Sequence, residues 1–245
     1  MRNLPILIDR EMRALIVSPI LWVVMVMFLL FNGYSFFLLL SFLSQPMAPE
    51  GAPMQFFFGQ SVLFWLAVFP MSSLIPMGAI AAEVRNGTFE TLMTAPVTEL
   101  EVVVSKFLAS WLFYILLWVP TLSYVIFLDH YGDPDWGPIA SGYLGTMLLG
   151  GCLLSIGILM SSVTSNQIVA AVLAFVTYGC LFLVSVTAYV ATNENPDVYN
   201  YLNIWEQMAD WGKGIIDTRH VVYCLSIMFF ALFCSVKALE SKRWR

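Results

Sequence analysis

Apolar residues do not alternate with polar ones along this chain; they gather into long runs separated by short polar breaks. Six runs stand out, approximately Pro19–Leu43, Phe56–Ala82, Phe107–Leu128, Ile139–Met160, Gln167–Ala191 and His220–Leu239. A helix that crosses a bilayer needs about 20 mostly apolar residues, because lipid gives the backbone no hydrogen-bond partners. Each run meets that length. Only Ser161-Ser162-Val163-Thr164-Ser165-Asn166 separates the fourth from the fifth, which suits a tight turn between antiparallel helices. The first run is too long for a signal-peptide core and is followed by no small-residue cleavage site, so it is expected to stay as an anchor.

Composition agrees with the runs. Of 245 residues, 60% are hydrophobic and 11% charged, with a mean hydropathy of +0.81. A soluble domain is about 45–50% apolar. One core of this size cannot hide the excess, so much of it must face lipid. The four cysteines, Cys152, Cys180, Cys224 and Cys234, all fall inside apolar runs and read as small core hydrophobes rather than a disulfide framework.

Charge orients the runs. If six spans alternate, Arg2, Arg10, Arg13, Arg85, Lys106, Lys237, Lys242, Arg243 and Arg245 share one side, and only Lys213 and Arg219 lie on the other. This sorting predicts cytoplasmic termini. The outer loops carry Glu50, Asp129, Asp133, Asp135, Glu194, Asp197, Glu206, Asp210 and Asp217 instead. No charged residue sits near the middle of a span, where it would cost roughly 2.5–3.5 kcal/mol and mark an ion or proton path. An ion-coupled transporter is therefore disfavoured. The polar residues inside are mild: Ser72, Ser73, Ser155, Thr177, Ser185 and Thr187. Gly151/Ser155 and Gly157/Ser161 are small-xxx-small pairs that suit close helix packing. Pro70, Pro76 and Pro120 should kink or loosen the second and third spans.

Three shorter elements add detail. Leu4, Leu7, Ile8, Met12, Leu15 and Ile16 share a helical face, with Arg10 and Arg13 opposite and Glu11 blunting the stripe. Such a helix suits the membrane interface, its arginines near anionic headgroups. The second element lies between Glu83 and Lys106. Asn86-Gly87 is a stop signal, Thr88 can cap a short helix on which Phe89, Leu92 and Met93 share a face, and Pro96 ends it. Thr98 and Glu101 then form a capping box before the third span. This punctuated helix exposes Glu90 and Thr94 and suits docking of a soluble partner. The third element is the outer loop Thr192–Arg219, longer than a turn requires. There Val198, Tyr201, Leu202, Trp205, Met208 and Ala209 fall on one face, with Glu206, Gln207 and Asp210 elsewhere. Gly212 and Gly214 follow as helix end and hinge. This outer helix can act as a shield or as a lid over a path.

Ala82-Glu83-Val84-Arg85-Asn86-Gly87-Thr88-Phe89-Glu90-Thr91-Leu92-Met93-Thr94-Ala95-Pro96-Val97 resembles the signature of ABC-2 type permeases. There an acidic and basic cluster leads into Gly-Thr-x-Glu-x-Leu and then Pro-Val. Arg10-Glu11-Met12-Arg13 and Ser18-Pro19-Ile20 are similar to the start of the same family, especially its gliding-motility-associated and NosY-like branch. Ala82 departs from relatives that carry a second acid before Glu83, and Ser105 from those with Gly before Lys106.

The resemblance implies an all-α integral membrane protein, residues 1–245 forming one transmembrane domain of six helices. It would carry an N-terminal amphipathic interfacial helix, a cytoplasmic coupling helix between spans two and three, and an outer interfacial helix between spans five and six. It also implies a dimer with a second or homologous permease copy, two ABC ATPase subunits, and an auxiliary subunit with an extracytoplasmic domain as a further candidate. The setting would be a bacterial cytoplasmic membrane. Glu83, Arg85, Gly87, Thr88, Phe89, Glu90, Leu92, Met93, Pro96 and Val97 would form the ATPase-coupling segment, and Tyr201, Leu202, Trp205, Met208 and Gly212 the outer lid.

ATP and magnesium are expected in the partner, since no Gly-x-x-x-x-Gly-Lys-[Ser/Thr] phosphate loop occurs here. No cofactor, metal or nucleic acid is expected on this chain, and no catalysis. A membrane-embedded hydrolase would need a Ser/His pair or clustered ligands at membrane depth, and the two histidines, His130 and His220, fall at outer span edges. Uncharged spans rich in Phe, Met and Trp suit an amphipathic or lipid-like cargo, and the substrate expected of such a permease is amphipathic or polymeric. Two rival roles remain: a mechanical anchor in a motility-type assembly, and a substrate-capture subunit of an importer.

Overall fold

The computed structural model describes residues 4–43, 56–88, 97–131, 134–190 and 202–243, and among them every regular element is helical. Helix α1 spans Leu4–Val17 and α2 spans Pro19–Leu43. Ser18 makes the elbow between them, with Pro19 starting the second helix, where its missing N–H costs nothing. The Trp22 indole donates to the Ile16 carbonyl at 2.7 Å and pins the bend.

Helix α2 is apolar all round, as a membrane helix is. Leu21, Val24, Phe28, Phe36 and Leu39 are buried in the bundle, while Trp22, Val23, Val26, Leu30, Tyr34 and Phe37 are exposed on its outer side. An unbroken apolar strip of that size needs lipid rather than water beside it.

The second apolar run differs from the single long span expected for 56–82. It opens with a wide turn at Phe56–Gln60, where Gly59 has φ +91°. Helix α3, Val62–Leu74, comes next, capped by Ser61 and continuing through Pro70. Bends at 75–80 and a short α4, Ala81–Arg85, complete the run. Thirteen residues rise about 20 Å, short of the roughly 30 Å of hydrocarbon. Pro76 explains the stop, since it has no N–H with which to continue the helical ladder beyond Ile75. Five described helical elements are long and apolar enough to cross a membrane, and α3 is a shorter apolar helix beside them.

Helix α5, Glu99–Trp118, begins at the predicted capping box. Thr98 Oγ1 accepts from the Glu101 N–H at 3.2 Å, and Glu101 Oε2 accepts from the Thr98 N–H at 3.1 Å. At Pro120 the helix tightens into one three-residue turn, Val119–Thr121, before α6, Leu122–Tyr131. Helix α7, Trp136–Val163, is the centre of the bundle and packs against α3, α4, α5, α8 (Gln167–Val190), α9 (Ile204–Gly212) and α10 (Thr218–Arg243). Its glycines admit large neighbours: a Cβ at Gly150 would lie 2.3 Å from the Tyr114 ring. The turn into α8 is as short as expected, with Asn166 Oδ1 accepting from the Ile168 N–H.

Candidate functional site

Three segments far apart in sequence meet at one end of the bundle. On α1, the residues turned toward the protein are Leu4, Leu7, Ile8, Glu11, Met12 and Leu15, while Ile6, Ile16 and Val17 are exposed. Glu11 thus lies inside the apolar stripe, one turn after Leu7 and one turn before Leu15. A carboxylate on a buried face must find a cation. It finds Lys106, on the inward face of α5 among buried Val102, Val103 and Ala109.

Lys106 is 2% exposed, and its Nζ stands 3.1 Å from Glu11 Oε2 and 2.8 Å from Glu83 Oε1. Glu83 comes from α4. Arg10 closes the cluster from the water side, 2.6 Å from Glu11 Oε1 and 3.6 Å from Glu83 Oε1. Two cations therefore meet two carboxylates across α1, α4 and α5. Glu83 Oε2 is buried with no hydrogen-bond partner among the described residues. A buried pair adds little net stability, but removing one member leaves an uncompensated charge and is strongly destabilising. Through these contacts the cluster ties three helices together. Arg13 differs: it pairs with Asp9 at 2.9 Å on an exposed surface, where such pairs contribute little.

Past Glu83 the chain turns as the Asn86-Gly87 pair predicts. Gly87 has φ +70°, and its N–H donates to the Val84 carbonyl at 3.3 Å, ending α4. Thr88 Oγ1 reaches back to the Glu83 carbonyl at 3.3 Å. Arg85 is exposed, and Val97 is half-buried against the core. Phe89, Glu90, Leu92, Met93 and Pro96 lie outside the described residues. The sequence alone did not reveal the partnership of Glu11 with Lys106; the available signal was a carboxylate set in an apolar stripe.

At the other end, α9 is held between α7 and the Phe56–Gln60 turn. Asn203 caps it, accepting from Trp205 and Glu206 N–H groups at 3.1 and 3.2 Å. The Ile204 N–H donates to Ser185 Oγ of α8 at 3.0 Å. The Trp205 ring lies parallel to Trp65 at 6.0 Å. The buried face overlaps the one the sequence suggested and extends beyond it: Met208 and Ala209 are buried as read, Ile204, Gln207 and Trp211 are buried beside them, and Leu202 and Trp205 are half-buried. Tyr201 is outside the described residues. Gly212 is buried and still helical, and the left-handed residue is Gly214, at φ +88°.

The family model for ABC-2 family transporter proteins matches residues 6–211, which include both ends of the bundle. The chain belongs to this family. The match runs from α1 into the last turn of α9, so the charged cluster and nearly all of α9 lie within it. No curated protein is significantly similar to the chain. As an ABC-2 transporter protein it is a multi-pass membrane protein of a family of membrane subunits, normally non-catalytic, that generally work with an ABC ATPase.

Proposed function

We propose that this chain is the permease subunit of an ABC-2 transporter. It couples ATP hydrolysis by two copies of a separate ATPase to export or movement of an amphipathic or polymeric substrate across the bacterial cytoplasmic membrane. The interrupted second run crosses the membrane together with the five longer elements, giving six passes with both termini cytoplasmic, and two permease copies flank the path. The amino-terminal motif supports membership of the gliding-motility-associated and NosY-like branch.

One observation carries the reading. Lys106 binds Glu83, four residues before Gly87, and Glu11 at the same time. A force applied to the segment between Gly87 and Val97 is therefore delivered to α1, α4 and α5 together. Residues 89–96 form the coupling helix that docks on the ATPase, with Glu90, Leu92 and Met93 in contact and α1 lying in the membrane interface. Helix α9 is the outer lid.

The test is co-purification of an ATP-hydrolysing subunit with the tagged chain, followed by ATP turnover of the reconstituted complex. Gly87→Val strains a left-handed turn, and Leu92→Ala removes an apolar contact. The double variant is expected to lose association and turnover; unchanged values would sink the proposal.

A further inference from the structure

Helix α7 meets the rest of the chain through a hydroxyl at each end. At the end near the charged cluster, Ser161 is fully buried. Its Oγ accepts from the backbone N–H groups of Ile80 at 3.1 Å and Ala81 at 3.0 Å. It donates to the Met77 carbonyl at 3.0 Å. A serine hydroxyl has one proton and two lone pairs, so all its capacity is spent on the break in the second run. Helix α4 needs this help. Its first N–H groups lack intrahelical acceptors, and Ile80 at its N-cap makes no side-chain capping bond. One turn along α7, Gly157 leaves room for Pro76: a Cβ there would stand 2.4 Å from the proline ring. The Gly157/Ser161 pair thus receives a broken chain rather than a second straight helix.

At the opposite end, Ser141 Oγ lies 2.6 Å from the Trp211 carbonyl in the last turn of α9. The Gly137 and Pro138 carbonyls of its own helix stand farther off, at 2.8 and 3.2 Å. One turn on, Gly145 accepts the Trp211 side chain, which would lie 2.4 Å from an added Cβ. Between Ser141 and Ser161 the helix is continuous and contains no proline. A separation of twenty positions, at about 1.5 Å of rise each, places the two serines about 30 Å apart. Trp111, Tyr114 and Tyr178 donate to its Met147, Thr146 and Leu153 carbonyls along the way.

We propose that α7 is a strut joining α4, which carries Glu83, to α9 at the far end of the bundle, with Ser161 and Ser141 as the positioning residues at its two ends. Because residues 75–80 interrupt the second run, α4 moves with α7 rather than with α3. The consequence for transport, a lid that answers to the coupling segment, rests on the permease reading; the mechanical link does not.

Hydrogen exchange of the full chain in lipid nanodiscs, read by mass spectrometry without any ATPase, tests the link. Ser161→Ala removes three hydrogen bonds to this segment, so it is expected to speed exchange over 77–85 by at least the roughly fivefold that loss of one ordinary hydrogen bond gives, and to speed it measurably over 204–214. Ser141→Ala is expected to act reciprocally, and the double variant to be less than additive. The control is Ser155→Ala, on the same helix and fully buried, whose hydroxyl donates to the Cys152 carbonyl of its own turn and to no other element among the described residues; it should change neither end. No rise over 77–85 in Ser161→Ala overturns the latch. Local-only rises that add in the double variant, or equal rises in Ser155→Ala, overturn the strut. Loss of ATPase binding with intact exchange coupling would count against the permease reading alone.

Discussion

Lys106 lies 2.8 Å from Glu83, a residue 23 positions earlier in the chain, and both belong to a cluster that also holds Glu11. The lysine is almost wholly enclosed, while the two glutamates keep a small exposure of 16% and 20%. Lys106→Met should therefore leave two carboxylates facing each other with only Arg10 between them and water. The expected loss is about 3 kcal/mol of stability, measured as lowered denaturant resistance in detergent. A loss below about 0.5 kcal/mol would show that the cluster is solvated.

Stability and coupling separate in a triple variant, Glu11→Leu, Glu83→Leu and Lys106→Met. Replacing a buried ion cluster with packed apolar residues is often neutral or stabilising. This variant should recover nearly all of the stability lost by Lys106→Met. It should still show reduced ATP-driven transport, because directional charge contacts no longer tie α1 and α4 to α5. Full transport by the triple variant would reduce the cluster to a structural filler.

Much of the bundle was visible in the apolar runs. A run of lipid length needs no tertiary knowledge, so α2, α5–α6, α7, α8 and α10 emerged close to their observed bounds. The Thr98–Glu101 capping box and the Gly87 turn were also readable, since both are settled by neighbours within four residues. The features that escaped depend on contacts between distant segments. Pro76 announces a break, but nothing local says that Ser161 will cap the short helix beyond it. Glu11 spoils an amphipathic stripe until Lys106 is placed beside it. The face of α9 was read only in part: Met208 and Ala209 are buried as expected, but buried Gln207 looked like a solvent-facing residue on composition alone.

Membrane sidedness is checked by thiol labelling of intact cells. In a background with the four native cysteines replaced, cysteine at Ser44 or Asn193 is expected to react with an impermeant maleimide from outside. Cysteine at Asn86 or Ser241 is expected to react only after permeabilisation. External reaction at Asn86 would mean that the interrupted run of α3 and α4 does not cross, and would remove one pass from the topology.

Copy number is a property of the same assembly. Closed two-fold symmetry is the common solution for oligomers. Native mass spectrometry of the complex released from nanodiscs should give two permease chains with two ATPases. A single permease chain carrying one ATPase would contradict the dimer.

Helix α9 offers the sharpest division between shielding and gating. Trp205 stacks on Trp65, whose indole N–H donates to the Gly59 carbonyl at 2.7 Å, so it reports on the turn that holds α9. Truncating it in Trp205→Ala removes an aromatic pair worth about 1 kcal/mol beyond its buried area but leaves Met208 and Trp211 seated. Gly212→Pro acts at the other end, where a proline removes a helical N–H donor in the last turn and crowds the preceding turn. If α9 is a lid, both variants assemble with the ATPase normally, while transport falls or ATP hydrolysis becomes uncoupled from it. A shield predicts the reverse: impaired assembly and lowered thermal stability, with transport per assembled complex unchanged. Parallel measurement of complex yield, ATP turnover and vesicle transport decides between them, and normal values in all three would remove α9 from the mechanism.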